Sequence, residues 1–196
     1  MRTPRPALVL ASRSPQRSRL LASLGVSFTV RASDAEELEQ GTDTAAVAIE
    51  NALRKARSVV APGAHESVLG CDTIVVLDGV IYGKPPDATA ARRTLAALSA
   101  RTHEVLSGVA VLLVDGRSET VVERTAVART LVTFRALDEQ LLDWYVATGE
   151  WRGRSGGYAI QGAGATLALS VDGEQENVVG LPLRTLCELY PELLES

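Results

Sequence analysis

The stretch Leu10 to Gly25, LASRSPQRSRLLASLG, sets Arg13 and Arg17 at the start of what reads as a helix. The positive end of a helix dipole disfavours a cation there by a few tenths to about 1 kcal/mol. With Ser14 as N-cap and Pro15 at the first helical position, the third helical residue is Arg17, where a capping box would carry Glu or Gln. The conflict vanishes if an anion sits at the helix start, where free backbone N–H groups, Ser12, Ser14, Arg13 and Arg17 converge on phosphate oxygens. Two solvated surface arginines would read the same way.

Further along, GCDTIVV places Asp72 beside an apolar run, where an unpaired carboxylate is costly to bury. Asp72 is expected to face a cleft, a cation or a metal, or to be a hydrogen-bonded strand-end residue. Lys84, between Gly83 and Pro85, is a point charge on a stiff turn that reaches phosphate or water. The acidic run SDAEELEQG supplies Asp34, Glu36, Glu37 and Glu39; it reads as a solvated loop, or as the source of one carboxylate that holds a divalent cation together with Asp72. Lys55 is a further cation, on a helix. The segment WRGRSGGYAIQG combines Arg152 and Arg154 with four glycines and Gln161, which offers donor and acceptor to a base edge. It reads as a ligand loop or as a flexible surface loop.

Composition restricts the classes. The chain has 196 residues, 46% hydrophobic and 22% charged, with a net charge of −4. That balance fits one globular domain over residues 1–196 and offers no generic attraction to nucleic acid. Two cysteines and two histidines without metal-ligand spacing argue against zinc and fit a reducing compartment, the cytoplasm. The early run ALVLA is shorter than a signal-peptide core, and no span reaches the roughly 20 apolar residues of a membrane helix. Neither GxxxxGK[ST] nor a strand-associated GxGxxG occurs.

The elements that must position these residues follow from periodicity and punctuation. A strand is expected at Ala7 to Ala11, and helices at about Pro15 to Leu24, Thr44 to Val60, Asp87 to Ser99, Asp138 to Thr148 and Leu183 to Leu194. Asp78-Gly79, Asp115-Gly116 and Asp172-Gly173 each predict a hairpin. The mixture defines an α/β fold with a mixed, twisted sheet flanked by helices.

Taken together, LASRSPQRSRLLASLG, GCDTIVVLDGVIYGKP, THEVLSGVAV, GGYAIQG and VVGLPL, in this order, resemble the Maf family of nucleoside triphosphate pyrophosphatases, also called septum-formation-inhibitor proteins. The resemblance covers nearly the whole chain. It implies two lobes around a nucleotide-binding cleft, as in inosine triphosphate pyrophosphatases, and a homodimer. It also implies that Asp72 is the general base, that Arg17 and Lys84 assist catalysis, and that Ser12, Arg17, Glu37, Lys55 and Lys84 bind phosphate or metal. Glu37 and Asp72 would hold Mg²⁺ or Mn²⁺. The element Tyr158 to Gly162 is similar to that of the branch hydrolysing dTTP and UTP. Gln16, Thr73 and Gln161 occupy positions linked to substrate choice. Gln16 stands where the family often has a second arginine, and Ser107 replaces a frequent threonine while keeping the hydroxyl. Two other roles fit the same residues: removal of damaged nucleotides, and regulation of septation by nucleotide binding with hydrolysis secondary.

Overall fold

The computed structural model describes residues 6–116 and 120–194. β1 (Ala7–Leu10) leads into α1 (Pro15–Ser23) through Ser14, whose extended backbone and side-chain acceptor cap the helix. Gly25, with φ of 72°, ends the turn after α1 in the left-handed region that favours glycine. β2 (Thr29–Val30) follows, and an extended segment leads to α2 (Thr44–Arg57), capped by Asp43. α2 stops at Arg57, with Ser58 as its C-cap, short of the expected Val60 because the chain tightens there: Val59 N and Val60 N donate to the carbonyls of Ala56 and Arg57, three residues back.

β3 (His65–Leu77) and β4 (Val80–Tyr82) form the predicted hairpin. Asp78 and Gly79 both have positive φ, 52° and 77°, the signature of a type I′ turn, whose twist matches that of the strands. α3 (Ala88–Leu98) is capped by Asp87, and β5 (Thr102–Asp115) pairs with β6 (Thr120–Phe134) along its whole length. Asp115 pairs with Thr120, so this connection is wider than the two-residue turn expected at Asp115-Gly116; its residues 117–119 lie outside the described ones. α4 (Glu139–Thr148) runs from its Asp138 cap to Gly149.

β7 (Ala168–Asp172) pairs with the end of β6, but Asp172-Gly173 opens no hairpin. Gly173 instead turns the chain into α5 (Gln175–Val179), which ends at Gly180. The predicted helix at Leu183 to Leu194 is broken: α6 (Leu183–Leu189) ends at Tyr190, and a short 3₁₀ turn follows at Pro191–Leu194. Pro191 removes a helical donor and pushes the residue before it out of the α region, and Tyr190 has ψ of 71°.

The strands form one mixed seven-stranded sheet in the order β2-β1-β3-β5-β6-β7, with β4 on β3; β1 is parallel to β2 and β3, and all other pairs are antiparallel. Among the described residues the long strands β3 and β5 contribute to four cores, two of which lie at opposite ends of the strands. One end packs with β1, α1 and α6 through Leu8, Leu21, Leu69, Val109 and Leu186. The other packs with α3 and α4 through Val75, Leu95, Val105, Phe134 and Tyr145. These are the two lobes, and Asp72 lies on β3 where they meet. α2 lies against the sheet at two glycines: a Cβ at Gly70 would stand 2.1 Å from the carbonyl oxygen of Ala52, and one at Gly108 2.1 Å from that of Ala48. Glycine at both positions lets the helix backbone rest directly on the strands.

Candidate active site

That close approach sets the centre of the site. Asn51 and Lys55 stand four residues apart on the buried face of α2, otherwise made of Val47, Ala48, Ala52 and Ala56. Both reach Asp72, which is 3% exposed. Lys55 Nζ donates to Asp72 Oδ1 at 2.5 Å, and Asn51 Nδ2 to Oδ2 at 2.9 Å. The carboxylate expected to need a cation thus has one, and a neutral donor on its other oxygen.

Lys55 also meets Glu37 Oε1 at 2.6 Å, and Lys84 Nζ donates to both oxygens of Glu37 at 3.0 and 3.1 Å. Partial burial pushes the Glu37 carboxyl upward, but the charges and hydrogen bonds of Lys55, then Lys84, outweigh it and hold the group down at about 2. Of the three glutamates in the acidic run it is thus Glu37, and not Glu36 or Glu39, that meets the lysines of the site, while Asp34 lines the cleft at its rim beside Arg13.

At the start of α1 the two arginines part. Arg13 lies on the exposed rim, paired with Asp34. Arg17 turns inward: its Nε donates to the Gly180 carbonyl at 2.8 Å and its Nη2 to Thr73 Oγ1 at 3.2 Å. The serines serve the backbone, with Ser14 N donating to Ser12 Oγ at 3.1 Å and Arg17 N to Ser14 Oγ at 3.4 Å. Gln16 Oε1 accepts from Ser14 Oγ at 3.0 Å. Each guanidinium has acceptors of its own, a carboxylate for Arg13 and a carbonyl and a hydroxyl for Arg17, which offsets the cost of a cation at the helix start.

The opposite wall is Glu150 to Gly162, and it is packed rather than a flexible surface loop. Trp151, Tyr158, Ala159 and Ile160 are buried. Ser155 Oγ donates to the Thr73 carbonyl at 2.8 Å, the Ala159 N–H to Tyr145 Oη at 3.0 Å, and Tyr158 Oη lies 2.9 Å from His103 Nε2. Glu150 accepts from the N–H groups of Ala163 and Gly164, which fixes the chain beyond Gln161 while Gln161 itself stays exposed at the mouth. Ser107 Oγ lies 2.8 Å from Thr73 Oγ1, so the serine supplies the hydroxyl contact expected at its position.

Between these walls is a cleft of about 900 Å³. Ser12, Arg13, Ser14, Gln16, Arg17, Glu37, Lys55, Asp72, Thr73, Lys84 and Gln161, residues singled out in the sequence, all line it. Sequence reasoning missed Asn51, Glu150 and Ser155. Asn51 carried a signal, a second polar residue one turn from Lys55 on an alanine face; the other two form contacts that only the folded chain brings together.

A divalent cation fits the donor set in one respect. Glu37 and Asp72 come from different elements yet both lie within hydrogen-bond reach of one ammonium, that of Lys55. Among the described residues no cluster of three His, Cys, Asp or Glu side chains exists. Two carboxylates suit a cation that completes its shell with water and phosphate oxygens.

A mixed α/β sheet whose two lobes enclose a cleft with a buried carboxylate among cations is suited to binding a phosphorylated small molecule. The signature of the family described as Maf-like protein matches residues 7–193, and the chain belongs to the Maf family. A dTTP/UTP pyrophosphatase of Anaeromyxobacter sp. strain Fw109-5 is 48% identical over 183 residues, covering 93% of this chain and 87% of its own. Another of that name from Moorella thermoacetica is 47% identical, covering 93% and 92%. A third, from Deinococcus radiodurans, is 40% identical, covering 94% and 91%. The solved structure of the Staphylococcus aureus Ham1 protein aligns with 65% of this chain and 72% of its own at 14% identity and a TM-score of 0.40.

Proposed function

We propose that this chain is a nucleoside triphosphate pyrophosphatase that hydrolyses dTTP and UTP to the monophosphate and pyrophosphate. The observation that carries the reading is Asp72, buried at the floor of a cation-lined cleft with Lys55 on one oxygen and Asn51 on the other. The names of the relatives supply the substrates.

In the reaction, a water oxygen bonds to the α phosphorus while the bond from that phosphorus to the α–β bridging oxygen breaks. Asp72 takes the water's proton, and pyrophosphate leaves with the bond's electron pair. Arg17 and Lys84 stabilise the charge that grows on the leaving group, and Ser12, Arg13, Ser14 and Lys55 hold phosphate oxygens. Gln16, Thr73 and Gln161, which line the cleft, set the choice of substrate. Glu37 and Asp72 would hold Mg²⁺ or Mn²⁺, which when bound offsets phosphate charge and lowers the pKa of bound water.

Both cysteines are free, which agrees with the cytoplasm, and no helix among the described residues is long and apolar enough to cross a membrane. The family resemblance supports a homodimer, and the family match over residues 7–193 supports a single domain.

The test is product analysis with purified protein, Mg²⁺ or Mn²⁺, and dTTP, UTP, CTP, ATP, GTP, ITP and 7-methyl-GTP. Metal-dependent dTMP and UMP with pyrophosphate are expected. Diphosphate with phosphate would refute the bond assignment, and nucleotide binding without any product would favour a regulator.

A further inference from the structure

Glu37 sits on a segment with little to hold it. Residues 31–43, between β2 and α2, contain no helix or strand, and among the described residues 32–42 make no backbone–backbone hydrogen bond. The side chain of Glu37 enters the cleft all the same, so something other than a ladder must fix its backbone.

The next residue supplies the answer. The Leu38 N–H donates to Asn51 Oδ1 at 2.7 Å, and Asn51 Nδ2 donates to the Leu38 carbonyl at 3.0 Å. The side-chain amide thus makes with this residue the two-bond pairing that a neighbouring strand would make. The second Nδ2 proton goes to Asp72 Oδ2 at 2.9 Å. Asn51 is 1% exposed, and both amide protons and the amide oxygen are engaged. An unsatisfied amide on the apolar face of α2 would be costly, so the position tolerates Asn because all three bonds form together. Asp would keep the acceptor, lose both donors and set a second carboxylate against Asp72.

We propose that Asn51 is a positioning residue that fixes the separation of the two carboxylates of the site, tethering the Glu37 segment with one edge of its amide and Asp72 with the other. The proposal rests on the pyrophosphatase reading, with Asp72 as base and Glu37 as its companion carboxylate. Asn51 is not among the residues that line the cleft and acts through Asp72 and the Glu37 segment. Its loss therefore acts on the chemical step more than on nucleotide affinity, which the cations and the Gln161 wall supply.

The product panel on the wild-type chain comes first, so that a failure of the reaction reading is seen before any variant is made. Asn51→Ala and Asn51→Asp, checked for folding by circular dichroism, are then compared with wild type in kcat, in KM for dTTP and in binding of the non-hydrolysable α,β-methylene analogue of dTTP. The expected result is a fall in kcat of about 10- to 100-fold for Asn51→Ala and more for Asn51→Asp, with analogue affinity kept within about threefold. A folded variant with kcat close to wild type, or an affinity loss as large as the rate loss, overturns the proposal. A measurement on the wild type stands independently of folding in the variants. The two Asn51 side-chain amide protons are followed by NMR as Mg²⁺ and the analogue are added. Signals protected from exchange with solvent that move on addition are expected, and signals that exchange freely with solvent or stay unmoved at saturation overturn the proposal.

Discussion

At the scale of single residues, the site separates groups by what holds them. Asp72 is fixed by a cation and an amide, so Asp72→Asn keeps its volume while removing the proton acceptor. A loss of turnover of about 10²- to 10⁴-fold with nucleotide binding retained is expected, read by product release and by equilibrium binding of dTTP. Turnover near wild type would remove Asp72 from the mechanism. His103 illustrates the opposite case, a titratable group kept neutral behind the site. It is fully buried, meets Tyr158 through Nε2 and leaves Nδ1 without a hydrogen-bond partner among the described residues. Burial pushes its pKa down from 6.5 to about 4. Between those values the unfolded chain binds a proton that the folded chain refuses, so this contribution to stability is full above pH 6.5 and is lost as pH falls toward 4. Urea midpoints at about pH 7 and about pH 4.5 should therefore lie closer together for His103→Gln than for wild type, by an amount equivalent to roughly 2–3 kcal/mol. An unchanged spacing would show that folding does not weaken proton binding by the imidazole.

At the scale of elements, the distance between α2 and the sheet controls the site. Gly108→Ala would drive a methyl into the Ala48 carbonyl, and relief requires α2 to lift from β5. A stability loss of about 1–3 kcal/mol is expected in urea unfolding, with kcat reduced at full folding because Asn51 and Lys55 leave Asp72. Unchanged kcat in folded protein would show that the contact with α2 is not what places the charges. The elements themselves were largely legible, because their ends are written in local chemistry: Ser14, Asp43, Asp87 and Asp138 cap helices, and Asp78-Gly79 sets the type I′ turn. Where local signals compete, the reading failed. The apolar repeat from Leu183 to Leu194 runs through Pro191, and the backbone obeys the proline. Asp172-Gly173 carries the same dipeptide as the true hairpin, but the residues after it favour α5 over a strand. In the site, residue types marked the charged groups, whereas Asn51, Glu150 and Ser155 act by bonding to backbone distant in sequence, which no spacing rule encodes.

At the scale of the molecule, charge is sorted. The chain carries −4 overall, yet the cleft is lined by seven arginine and lysine side chains against four carboxylates. A local excess of three positive charges inside a net negative body draws a triphosphate to the cleft while the rest of the surface repels it, as field focusing in a concave site requires. The two lobes make this possible, because α1 brings cations from one side, the segment around Arg152 and Arg154 from the other, and β3 runs beneath both. Exposed charges such as Arg13 and Arg152 act through solvent and are screened by salt, whereas the pair of Lys55 with Asp72 is buried and much less affected. Raising KCl from about 50 to about 300 mM should therefore raise KM for dTTP several-fold while leaving kcat nearly constant. A parallel fall in kcat would place the screened charges in the chemical step. An insensitive KM would mean that recognition rests on short-range contacts at Thr73 and Gln161 rather than on the field of the cleft.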